Sequence, residues 1–168
     1  MANPSPPPSL RVLQATSIAL QTTAAGLSAS LSVFLIPRLM ESPPSLLAQQ
    51  FTHAISSAHR LLPLPLVLPG FLHAYLAYQI PRKARVYVLA AFLTFTTLPW
   101  TKVAMIPLNR EMARRSVLYK QAGVEVDIEA KEDAENAHVL ADKWASRNLY
   151  RPVIALISGC LGLYAALS

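Results

Sequence analysis

Four apolar runs of bilayer-crossing length decide most of what this chain can become. A membrane-spanning helix needs about 20 mostly apolar residues, and residues 10–36, 61–80, 84–106 and 150–168 qualify. Only 14% of residues are charged and 53% are hydrophobic, whereas a soluble domain is about 25% charged. The mean hydropathy is +0.35. The expectation is an all-α fold: a four-helix transmembrane bundle with amphipathic capping helices in the first and third loops. One membrane domain, residues 10–168, follows a Pro-rich disordered tail at 1–9 and carries a polar helical insert at 108–149. The chain is therefore expected to be an integral, multi-pass membrane protein with the lipid bilayer as its surroundings.

Each run has its own local chemistry. The first is rich in Thr, Ser, Ala and Gly, which suits close helix packing in lipid. A signal peptide is the rival reading of this run, but the tail has no basic segment and Gln14 and Gln21 interrupt the apolar stretch. The second run holds Pro63, Pro65 and Pro69, so its first half is expected to kink or lose regularity. In the fourth, Pro152 suits a first helical turn. Between runs one and two, Ser42 is expected to cap a helix started by Pro43 and Pro44. Leu47, Phe51, Ala54, Ile55 and Ala58 then share one face, as in a helix lying on the membrane or capping the bundle. After the third run, 110–121 and 131–147 read as helices separated by an acidic, solvated break at 123–130.

Charge is segregated as strongly as hydropathy. Eight of the nine acidic residues lie between Glu111 and Asp142, and the ninth is Glu41. The net charge of +6 does not signify a nucleic-acid partner, because the basic residues flank apolar runs and form no aromatic-interleaved patch. Arg11, Arg82, Lys83 and Arg85 fall on the side of the termini, and a larger basic set falls on the other. The positive-inside rule then places the capping segments in the cytoplasm. The single Cys160 excludes an internal disulfide and a multi-cysteine metal site.

The most informative residues stand where hydrocarbon meets water. Asn109 lies at the end of the third run, and Trp144, Asn148 and Arg151 lead into the fourth at i, i+4, i+7, one stripe of a helix. Singly they have bland roles: an N-cap, an interfacial anchor, a snorkelling cation. Together they imply a site, since polar groups at such a boundary cost free energy unless they bind something or each other.

These motifs resemble the anthrone oxygenase-like family of small four-span membrane proteins. The resemblance rests on Pro107-Leu108-Asn109 after a third span, Trp144-x-x-x-Asn148-x-x-Arg151 before a fourth, and Pro99-Trp100-Thr101 in the form of the fungal members. Pro152, directly after the arginine, departs from the pattern. The resemblance implies an enzyme that oxidises a polyketide-derived anthrone to an anthraquinone, with O2 as cosubstrate and neither metal nor flavin. Its partners are an aromatic polyketide small molecule and, along the pathway, a polyketide synthase or thioesterase. Such chemistry needs an apolar slot, a base and a group that holds an anion. Arg151, with Asn148 and Asn109, fits the last role; Trp100 and Trp144 can stack on a flat tricycle, and Thr101 and Tyr75 complete the expected substrate contacts.

For the base, His73 is the histidine well inside an apolar run, where an ionisable residue is a functional candidate by default. Its neighbours Tyr75 and Tyr78 are expected to hydrogen-bond either to it or to substrate. His53 and His59, in the capping helix, are second candidates for the base. Their six-residue spacing and lack of a nearby carboxylate do not suit a metal. The alternative to an enzyme is a non-catalytic membrane protein that binds or scaffolds a lipophilic polyketide intermediate.

Overall fold

The computed structural model describes residues 6–121 and 129–168. Its elements, in chain order, are α1 (Pro8–Ser30), a π-helical segment (Leu31–Leu35), α2 (Ile36–Leu39), α3 (Pro44–Leu61), α4 (Pro63–Gln79), a 3-10 turn (Pro81–Lys83) and α5 (Ala84–Trp100). A second π-helical segment (Thr101–Met105), α6 (Ile106–Gln121), α7 (Glu129–Asn148) and α8 (Tyr150–Leu167) follow. Among the described residues there is no strand. Four helical runs, Pro8–Leu39, Pro44–Gln79, Pro81–Lys120 and Ala137–Leu167, are long and apolar enough to cross a membrane. They exceed the expected spans because the flanking amphipathic helices continue them almost without interruption. Most of the expected acidic break lies outside the described residues, and its last two residues, Glu129 and Ala130, already belong to α7.

Prolines start several helices. Pro8, Pro44, Pro63 and Pro81 each open an element, where a missing N–H is no loss. The second span is therefore more regular than expected. Pro63 and Pro65 both fall in the first turn of α4, whose amides have no intrahelical partner in any case, and Pro69 is buried inside the continuing helix. In α3, Pro44 is the first helical residue and Pro43 holds the preceding position, one residue beyond the expected Ser42 cap. The two π-helical segments have a shared cause. Each ends immediately before an Ile-Pro pair, Ile36-Pro37 and Ile106-Pro107. A proline inside a helix collides with the carbonyl four residues back, and a π turn widens the backbone at that place.

The chain divides into two compact units. Unit 1 comprises Met1–Gly26, Leu62–Thr97 and Arg151–Ser168, and thus the first part of α1, with α4, most of α5 and α8. Its interior is unusually polar. Gln14 Nε2 donates to the Tyr87 hydroxyl at 2.7 Å, and Gln21 Nε2 to Thr94 Oγ1 at 2.9 Å. Ser158 Oγ lies 2.9 Å from both Thr94 Oγ1 and the Ala90 carbonyl. Its outside is apolar, with Phe71, Leu64, Phe92 and Tyr164 all well exposed. Polar inside and apolar outside inverts the rule for water-soluble domains and suits a lipid surround.

Unit 2 comprises Leu27–Leu61 and Leu98–Tyr150. Its core is conventional: Ile36 and Leu39 of α2, Leu47, Phe51 and Ile55 of α3, Met105 and Met112, and Ala137, Ala141 and Trp144 of α7. The expected apolar face of α3 is thus the face that packs. On α6, Glu111 pairs with Arg114 at 2.8 Å and with Arg115 at 3.0 Å, near-surface pairs of small energetic weight.

In unit 1 the closest backbone approach is at Gly162 of α8. A Cβ there would meet His73 Nε2 at 2.7 Å. Gly162→Ala adds about 1 kcal/mol of helix propensity but about 1–3 kcal/mol of overpacking. The expected outcome is a net loss of up to about 2 kcal/mol, read as a lower thermal midpoint in detergent. In a His73→Ala background the same methyl fills space instead, so its effect should change sign.

Candidate active site

The boundary residues of unit 2 form one hydrogen-bonded series. Trp144, near the end of α7, is buried, with its ring edge-on to Phe51 of α3 at 5.4 Å. Its Nε1–H donates to Asn109 Oδ1 at 2.7 Å. An indole N–H can only donate, so this bond fixes which end of the Asn109 amide carries oxygen. Asn109 Nδ2–H is then left to donate to His59 Nε2, 3.3 Å away in the last turn of α3. That contact suits the His59 tautomer whose hydrogen is on Nδ1. The series ends at an open pocket of about 140 Å³ lined by Phe51, Thr52, Ile55, Ser56, His59 and Asn109. An imidazole, an amide N–H and an apolar wall meet there.

Asn148, one turn after Trp144, serves other partners. It is fully buried, and its Nδ2 donates to the Ser28 carbonyl at 2.8 Å and to Ser32 Oγ at 3.0 Å. Ser28 Oγ donates back to Asn148 Oδ1 at 3.4 Å, and Ser32 Oγ to the Ala145 carbonyl at 2.9 Å. This is a pin between α7 and the end of the first helical run, and Asn148 is not among the residues that line the His59 pocket. The two serines were missed in the sequence because small residues in an apolar run read as packing. Trp100 plays a comparable part at the end of α5. Its Nε1–H donates to the Arg147 carbonyl at 3.1 Å, and its ring lies 4.6 Å from that of Tyr150, tilted 33°. Thr101, half-buried, opens the π-helical segment that follows.

The remaining expected residues lie in unit 1. His73 of α4 is fully buried, stacked on Tyr87 with ring centroids 6.1 Å apart. Neither ring nitrogen has a hydrogen-bond partner. The expected service of Tyr75 and Tyr78 to His73 is not found: the Tyr75 hydroxyl takes a bond from Gln79 at 2.8 Å, and both tyrosines are exposed. Helical geometry explains this, since residues two and five positions along are turned by about 200° and 140° from the starting side chain. Arg151, in the first turn of α8, is 9% exposed, the one buried cation among the described residues. His53 is exposed. Among the described residues, no three His, Cys, Asp or Glu side chains converge as metal ligands would.

A family model described as Anthrone oxygenase matches residues 51–161, a stretch that holds His59, His73, Trp100, Asn109, Trp144, Asn148 and Arg151. The chain is 27% identical over 156 residues to the protein named Anthrone oxygenase AgnL2 of Paecilomyces divaricatus, which covers 89% of this chain and 92% of that one. It is 26% identical over 147 residues to Monooxygenase hypC of Dothistroma septosporum, covering 84% and 76% respectively. No solved structure matches.

The Asn148 pin gives a stability prediction. Asn148→Ala leaves the Ser28 carbonyl and the Ser32 hydroxyl without their donor, a loss of about 1–3 kcal/mol. Asn148→Asp should be worse than alanine, because it sets a carboxyl oxygen against the Ser28 carbonyl. Thermal unfolding of the two purified variants tests that order.

Proposed function

This chain is an oxygenase of the anthrone oxygenase family, and from that premise we propose that it oxidises a polyketide-derived anthrone to the anthraquinone at the His59–Asn109 pocket, with O2 and no other cofactor. The observation that carries the reading is the Trp144–Asn109–His59 series, which sets an imidazole and an oriented amide donor 3.3 Å apart on one pocket wall.

The chemistry follows from the substrate. The anthrone C10 hydrogen is acidic because its carbanion is an aromatic, phenolate-type anion. His59 Nε2 takes that proton, and the long contact to Asn109 yields as it does so. The electron-rich carbanion passes one electron to O2, and recombination of the carbon radical with superoxide forms a C–O bond and a C10 peroxide anion. The proton held by His59 returns to that oxygen. Loss of the second C10 hydrogen with cleavage of the O–O bond releases water and leaves the carbonyl. One anthrone and one O2 give one quinone and one water.

Base and amide serve the same carbon in this scheme. Asn109 Nδ2–H, released from His59, donates to the oxygen anion that grows at C10. A fixed donor aimed at developing charge in a partly dry site lowers the barrier more than it would in water. The Trp144 N–H on the far side of the amide polarises it further. Phe51 and Ile55 supply the apolar wall for the tricycle. The substrate itself would come from a polyketide synthase with its thioesterase.

Enriched membranes incubated with emodin anthrone, with and without O2 and corrected for spontaneous oxidation, test the reading. Quinone formation should require O2 and consume it one to one. His59→Gln and Asn109→Ala should each lower the rate by roughly 10²-fold or more. A His59→Gln enzyme with the wild-type rate, beside a dead His73→Gln enzyme, would move the base to unit 1 and overturn this site.

A further inference from the structure

The wall of the His59 pocket carries two hydroxyl groups that take no part in the oxidation itself. Thr52 and Ser56 both line it, and with His59 they stand at i, i+4 and i+7 on α3, one stripe of the helix. Phe51 and Ile55 supply the apolar surface beside them.

Both hydroxyls have their hydrogen engaged. Thr52 Oγ1 donates to the Ala48 carbonyl at 2.7 Å, and Ser56 Oγ to the His53 carbonyl at 2.8 Å. A hydroxyl has one hydrogen and two lone pairs, and a carbonyl can only accept. Each oxygen therefore meets a ligand as an acceptor. Asn109 Nδ2–H is a donor in the same pocket. The pocket is thus polarised: it gives a hydrogen bond to an oxygen near His59 and takes one from an O–H further along α3.

Spacing selects the partner. Ser56 precedes His59 by three residues, a rise of about 4.5 Å along the axis. With the anthrone C10 at the imidazole, that rise matches the distance from C10 to a hydroxyl oxygen on an outer ring, meta to the bond that carries C10. Thr52 lies roughly 10 Å from His59 along the axis, beyond such an oxygen. Hydroxyls that flank the anthrone carbonyl are tied to it by internal hydrogen bonds. The hydroxyl on the C10 side has its hydrogen to give.

We propose that Ser56 sets substrate specificity by accepting a hydrogen bond from that phenolic hydroxyl, so that the enzyme prefers anthrones with a free O–H on the C10 side of an outer ring to their methyl ethers. An ether brings a further acceptor to a wall of acceptors and leaves the Ser56 oxygen without a donor. The inference rests on the assignment of the pocket to the oxygenase reaction, and adds the substrate group that the pocket reads.

Membranes holding the full chain are given emodin anthrone, whose C3 hydroxyl occupies that position, its C3 methyl ether and its C3-deoxy analogue. Each rate is corrected for, and normalised to, spontaneous oxidation of the same compound. Ratios of kcat/KM between substrates are taken within one preparation, so the amount of folded enzyme cancels. The wild-type protein should prefer the free hydroxyl to both analogues by about fivefold, the effect of one hydrogen bond. Ser56→Ala should bring both ratios close to one. Ser57→Ala removes a hydroxyl from the same turn but outside the pocket lining, and should leave the ratios at their wild-type values. A Ser56→Ala enzyme that loses only the discrimination against the ether would show that Ser56 limits room instead of accepting a bond, and would overturn the proposal. So would a wild-type protein without preference, or an equal effect of Ser57→Ala. His59→Gln separates the two levels. If it keeps the wild-type rate, the pocket is misassigned and this inference falls with it. If it is dead while Ser56→Ala keeps the wild-type preference, the role of Ser56 alone is overturned.

Discussion

Hydrocarbon offers a polar side chain no partner, and this one constraint organises the molecule. Gln14, Gln21 and Ser158 of unit 1 all turn inward and find Tyr87, Thr94 and a backbone carbonyl there. In unit 2, Asn148 bonds to Ser28 and Ser32. Each such bond nets only about 1 kcal/mol, but the loss of one partner inside an apolar surround costs more than the bond was worth. The helices are therefore keyed to one another by their polar residues while apolar side chains face out. His73 departs from this: it is buried without a hydrogen-bond partner for either nitrogen, beside Gly162, where a Cβ would meet its Nε2 at 2.7 Å.

The same constraint separates scaffold from site. Asn148 and Asn109 stand close in the motif, but the fold uses them differently. Asn148 is fully buried and bonded within the protein to Ser28 and Ser32. Asn109 is oriented by the Trp144 indole and still faces a pocket, with its amide hydrogens directed to the exchangeable partner His59. A donor held rigidly from behind and weakly in front is suited to meet charge that appears only during a reaction.

Much of this was legible in the sequence. The four spans were, because bilayer thickness demands long unbroken apolar runs, and so was the packed face of α3, because Leu47, Phe51 and Ile55 recur at helical spacing. That Asn109 and Trp144 meet was foreshadowed by their common place at the edge of the hydrocarbon. Other features needed the fold. Ser28 and Ser32 look like small packing residues until Asn148 is laid against them. Tyr75 is near His73 in sequence but on another side of the helix. The prolines of α4 read as breaks, yet two of them occupy a first turn in which no amide bond is lost. The sequence ranked His59 only as a second candidate for the base; its contact with Asn109 appears once α6 lies beside α3.

The π-helical segment at Thr101–Met105 gives the third span an unusual genetic sensitivity. Such a segment holds about one residue more than an α-helix of the same rise, so every side chain after it is turned by roughly 100° relative to an uninterrupted helix. Asn109 lies four residues beyond, and its direction depends on that extra residue being retained. Loss of a single codon within 102–105 would keep the length class and every named residue of the motif, yet would swing the asparagine away from the indole. For this protein a one-residue deletion in an unremarkable apolar stretch is thus a change of site, and recognition of relatives by residue identity alone will pass over it.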